Sequence, residues 1–199
     1  MLLFLYKYFF ENNNNIKVYD GLKYINDNPN EKLDSALINY NYLLNLFDFI
    51  KKNDKPDYIL IDGSEKMTNI AEYCMRKNNS IKLYGGIANL NLWKERKDYL
   101  ISIHKKALNS AVSGLIYTTY TDKEEIIEEG TIISKQKIPK WTGIILEESD
   151  IVIHVSSNFE KGKGKKFNMR VMNSKIEDVI QTGLELDITG KESLSKIFT

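Results

Sequence analysis

Asp62 closes the short apolar run Tyr58-Ile59-Leu60-Ile61 and is followed directly by Gly63-Ser64. A run of this length between Pro56 and Gly63, with β-branched members, has the form of a buried strand leaving through a turn. In open α/β sheets ligands bind beyond the carboxyl ends of the strands, so a carboxylate there can hold a metal-bound water or face a nucleotide. Asp62-Gly63-Ser64 also has ordinary turn chemistry. Asp20-Gly21 repeats the ending after Ile16-Lys17-Val18-Tyr19, and the same two readings apply to Asp20. A third apolar run, Leu115-Ile116-Tyr117, ends in Thr118 and Thr119, hydroxyls able to bond a phosphate and equally at home as β-branched strand residues. For metal-assisted hydrolysis Asp62 needs a second carboxylate, and Asp20, Glu65 and Asp150 are the candidates.

The strongest charge cluster is Lys161, Lys163, Lys165 and Lys166 with Arg170. It can contact DNA or RNA phosphates or reach a neighbouring subunit's nucleotide, and a charged hairpin tip can also simply be solvated or guard an edge strand. His104 and His154 have no His or Cys partner at ligand spacing, so a metal site built on them is not expected. Trp93 and Trp141 are expected as core or interface anchors.

These residues need elements to hold them. Leu2 to Glu11 has the composition of a short helix stopped by Asn12 to Asn15, and Ile16 to Asp20 reads as a strand. Leu33, Ala36, Leu37, Tyr40, Leu43, Leu44, Phe47 and Ile50 recur at helical spacing, the clearest such period in the chain. Helices are also expected over 65–77 and 90–111, strands at 81–84 and 114–121, and, after the acidic segment 122–129, a less regular stretch up to Trp141. The runs 150–156 and 166–172 read as a hairpin whose turn, Lys161-Gly162-Lys163-Gly164-Lys165, is basic and glycine-rich. The expected architecture is one α/β domain over 1–199, with a mostly parallel sheet flanked by helices and an antiparallel C-terminal hairpin.

Composition is that of a globular chain, 42% hydrophobic and 28% charged over 199 residues, with a net charge of +1 that supplies no global attraction for nucleic acid. The single cysteine, Cys74, excludes an internal disulfide and suits a reducing cytoplasm. No uncharged run approaches the roughly 20 residues of a spanning helix, and the apolar start of the chain lacks the basic flank and small-residue cleavage site of a signal peptide.

The order of features resembles the RecA-like ATPases, particularly the archaeal RadA and KaiC-like branch. Leu2 to Asn13 is similar to the helix after the P-loop, Ile16 to Asp20 to the strand bearing the catalytic acid, Tyr58 to Asp62 to the Walker B strand and Leu115 to Thr119 to the sensor strand. Ser149 through Arg170 resembles the late hairpin. The resemblance implies nucleotide and magnesium contacts for Asp62, Thr118 and Thr119, and self-association or a RecA-like ATPase as partner. The chain departs from it in having no Gly-x-x-x-x-Gly-Lys-Ser/Thr. Without those phosphate-binding amides and lysine, a tightly bound cofactor and an ATPase of its own are not expected, and a degenerate interaction or regulatory subunit, in recombination, repair or a KaiC-like assembly, is. Ile61-Asp62-Gly63-Ser64 also resembles the Asp-Gly-Ser of NurA-like nucleases, which have an RNase H-like fold; this implies a metal-dependent nuclease centred on Asp62. A small α/β binding protein without either chemistry is the third reading.

Overall fold

The computed structural model describes residues 15–128, 131–139, 143–162 and 164–189, with backbone alone at 122–128, 131–139, Ile144 and Glu160. The chain divides into two compact units, Met1–Trp141 and Thr142–Thr199. Among the described residues no helix is long and apolar enough to cross a membrane.

The first unit is built on three helices. Helix α1 (Lys32–Asn53) buries Ala36, Leu43, Phe47 and Ile50, members of the expected stripe, and also the polar Ser35 and Asn39. It stops at Asp54 and Lys55, whose amides both return to the Ile50 carbonyl at 2.9 and 3.0 Å, and Lys55 turns the chain out at φ 47°. Helix α2 (Glu65–Asn78) buries Met67, Ile70, Ala71, Cys74 and Met75; helix α3 (Leu92–Leu108) buries Leu100, Ile103, His104 and Ala107. The three helices pack against one another, and each large aliphatic side chain taken from water there contributes about 1.5–3 kcal/mol. The rims carry Lys106–Asp48 at 2.6 Å, Arg76–Glu72 at 2.8 Å and the edge-on ring pair Tyr40–Tyr99. Trp93 is half-buried with the Arg96 guanidinium 4.5 Å over its ring; Trp141 lies outside the described residues.

Strand β1 (Tyr58–Ile61) pairs in parallel with β2 (Gly114–Tyr117), with Tyr58 opposite Gly114 and Ile61 opposite Tyr117. Ile59, Ile61, Leu115 and Tyr117 share one face, and His104 of α3 reaches Tyr117 there through an Nδ1 to hydroxyl hydrogen bond of 2.7 Å. The opposite face, with Tyr58 (62% exposed), Leu60 (59%) and Ile116 (47%), is open to solvent. Strands β3 (Thr121–Glu128) and β4 (Thr131–Pro139) form an antiparallel hairpin with a bulge at Ile126/Ile127.

The second unit holds a one-and-a-half-turn helix, α4 (Gly143–Glu148), and the antiparallel sheet β5 (Ile151–Glu160), β6 (Gly164–Ser174), β7 (Glu185–Asp187). The turn between β5 and β6 passes through Gly162 at φ 82° and Gly164 at φ 85°, left-handed values that glycine adopts without a Cβ clash. Met169 and Val171 form a small core with Ile180, joined by Ile151, Leu186 and Ile188.

The structure is therefore α/β with an antiparallel C-terminal hairpin, as expected, but the mostly parallel sheet is not formed: β1–β2 is the one parallel pair among the described strands. Three further expectations differ. Ile16 to Asp20 is no strand, because Lys17 and the Tyr19 hydroxyl are drawn to Asp54 and the stretch lies along α1, with Asn39 bonding Gly21 O and Tyr24 N. Residues 81–84 form turns, held by the Arg76 guanidinium on the carbonyls of Lys82 and Gly85 at 3.1 and 2.8 Å. The stretch after the acidic segment, expected to be less regular, holds β4, which pairs with β3. The helix expected over Leu2 to Glu11 lies outside the described residues.

Candidate functional site

The side-by-side ends of β1 and β2 bring Asp62 and Thr118 together. The Thr118 hydroxyl donates to Asp62 Oδ1 and accepts from the Gly63 amide at 3.1 Å. Main-chain bonds continue the pairing past the strand ends, Thr118 N to Ile61 O at 3.0 Å and Ser64 N to Thr118 O at 2.9 Å. Gly63 turns the chain at φ 77°, and Ser64 then opens α2. A Cβ on Gly63 would stand 3.3 Å from Glu65 Oε1, so the Glu65 side chain lies back over the turn, and the Thr119 hydroxyl is 3.4 Å from Glu65 Oε2. Two carboxylates and two hydroxyls thus converge at the first turn of a fourteen-residue helix, where the exposed amide ends favour negative charge. Ser64 is completely buried, and among the described residues its hydroxyl has no hydrogen-bond partner.

Each carboxylate there is met by a hydroxyl, Asp62 by Thr118 and Glu65 by Thr119. Among the described residues no group of three His, Cys, Asp or Glu side chains forms a metal site. Asp20 does not join it: its carboxylate accepts the Leu22 amide at 2.9 Å in a local turn, on the stretch that runs beside α1. Asp150 lies just ahead of β5 in the second unit, its carbonyl accepting Lys175 N at 2.7 Å. Cys74 is buried and desolvation pushes its thiol up to about 12, which leaves it an apolar core residue. His104 is 6% exposed and committed to Tyr117.

The basic cluster is divided by the pleat of β6. Lys161 is exposed in the turn, and Lys165 points to one face, opposite Phe159. Lys166 points to the other face, where Arg170 pairs with Glu185 at 3.4 Å and stands opposite His154. Asp187 lies on that face as well, its carboxyl held below the usual range by the hydroxyl and amide of Thr189 and, less strongly, by Lys166. Lys163 lies outside the described residues. Phe159 and Phe167, which the charge pattern alone passes over, flank Lys165 on its own face, brought there by the register in which β5 and β6 pair. No protein-family model matches this chain, and neither a curated protein nor a solved structure matches it.

Proposed function

We propose that the chain is a degenerate RecA-like protein that acts in the cytoplasm as an interaction or regulatory subunit, binding itself or a RecA-like ATPase and hydrolysing little or no ATP. The observation that supports this is the pairing of Asp62 with Thr118 at the carboxyl ends of adjacent parallel strands, in a chain without a phosphate-binding Gly-x-x-x-x-Gly-Lys-Ser/Thr loop. An acid-bearing strand beside a hydroxyl-bearing strand is what the Walker B and sensor resemblance implies. With the carboxylate already engaged by Thr118 and the phosphate cradle missing, magnesium or nucleotide would be held at most loosely. The role in recombination, repair or a KaiC-like assembly belongs to the same proposal. Phosphate release from magnesium-ATP tests it: the purified chain is expected to match its Asp62→Ala variant, and hydrolysis lost in that variant would overturn the reading.

The placement of Glu65 over the Gly63 turn that follows Asp62 favours a second reading, a metal-dependent nuclease. Incubation with single-stranded DNA and manganese distinguishes it. Cleavage abolished by Asp62→Ala and by Glu65→Gln would replace the first reading, and intact DNA would retire the second.

A further inference from the structure

The β5–β6 hairpin carries exposed aromatic rings and amines on one face. Cross-strand pairs set Phe159 opposite Lys165 and Ser157 opposite Phe167, so all four side chains lie on the same side of the pleat. Phe159 is 78% exposed and Phe167 38%, large apolar surfaces that a solvated turn does not require. They are diagonal neighbours, roughly 7–8 Å apart at the backbone, with Lys165 Nζ 5.1 Å from the Phe167 ring centroid. Lys161 stands exposed at the turn beyond them. Among the described side chains of this sheet, the acids Glu185 and Asp187 lie on the opposite face, with Arg170 and Lys166.

The geometry points to a binding site for single-stranded nucleic acid at this hairpin tip, with Phe159 and Phe167 stacking bases and Lys165 and Lys161 meeting the phosphates. Flat rings between amines fit a strand whose bases are unpaired, because only such bases offer a π-face. They do not fit a duplex, whose bases are already stacked. The site is independent of Asp62 and goes beyond the proposed subunit role by naming a chemical class of partner.

Fluorescence anisotropy of a labelled oligothymidylate against a duplex of the same length, with the full chain in EDTA, tests the site. Salt-sensitive binding that prefers the single strand is expected, weakened about tenfold by Phe159→Ala or Phe167→Ala and retained in Phe159→Trp. Lys165→Gln should lower the log-log salt slope by about 0.7, one phosphate contact on a single strand. That variant also keeps the test decisive should a phenylalanine variant fail to fold. Phosphate release and manganese-dependent cleavage, which read out Asp62, are measured separately from this metal-free binding, so failure at the hairpin and failure of the Asp62 reading are separable. Absent binding, equal binding of duplex, or affinity indifferent to both rings would overturn the inference. So would self-association in sedimentation that Phe159→Ala abolishes without any oligonucleotide affinity, which would give this face to a second copy of the chain.

Discussion

Thr118 has two jobs at one oxygen, donating to Asp62 and accepting from Gly63. Thr118→Val keeps the branched shape and removes both bonds; a loss of about 1–2 kcal/mol in urea unfolding is expected. Because Asp62→Asn disturbs the same bond, the double variant should cost less than the sum of the singles, as members of one network do. Gly63→Ala should cost about 1–2 kcal/mol, since φ 77° is unfavourable for a residue with a Cβ and Glu65 Oε1 must also shift. Asp62 and Thr118 were each legible in the sequence as the polar end of an apolar run, whereas their bond depends on the pairing of the two strands. Glu65 was legible as a candidate companion, three residues on. Asp20 was misplaced because its Asp-Gly ending is equally good turn chemistry. Phe159 and Phe167 were not legible, because which residues share a face depends on how many residues the glycine turn takes up before pairing resumes.

At the scale of elements, the extended stretch before α1 is tied down at three places. Lys17 and Tyr19 hold Asp54, Asn39 bonds Gly21 O and Tyr24 N at 2.9 and 3.0 Å, and Ser35 Oγ accepts the Asn26 amide at 3.0 Å. Asn39 is fully buried, so Asn39→Leu should cost about 1–3 kcal/mol by leaving two backbone groups unpaired, measurable as a lower denaturant midpoint at unchanged slope. The Asp54 end gives a pH signature. The Lys17 and Tyr19 hydrogen bonds lower the Asp54 carboxyl, so its stabilisation is present above the unfolded carboxylate range, near 4, and is lost as pH falls through the lower folded value. The bond to Asp54 raises the Tyr19 phenol to about 12, so its stabilisation is complete below about 10 and is lost as pH rises through about 12. In melting curves taken across pH, Asp54→Asn should flatten the acid arm and Tyr19→Phe the alkaline arm. Helix α1 was readable from its period, whereas Ile16 to Asp20 alternates like a strand yet finds its partner in a helix. The β3–β4 hairpin was hidden for the reverse reason: Asp122 to Glu125 has no apolar alternation to announce it.

Across the whole molecule, the larger core is helical. Ile103 is fully buried where α3 meets its neighbours, and Ile103→Ala should cost about 2–5 kcal/mol in chemical denaturation, many times the effect of an exposed-face change. The α/β class was legible because helical and strand periods alternate; the extent of the parallel sheet was not, since four-residue apolar runs look alike whether one face or both are covered. That difference has a colloidal consequence. Tyr58, Leu60 and Ile116 leave a greasy sheet face in water on a molecule whose net charge of +1 provides almost no mutual repulsion. The native protein should therefore light up an anilinonaphthalene dye without unfolding and salt out early. Leu60→Lys should quench the dye and raise the solubility limit with little change in melting temperature.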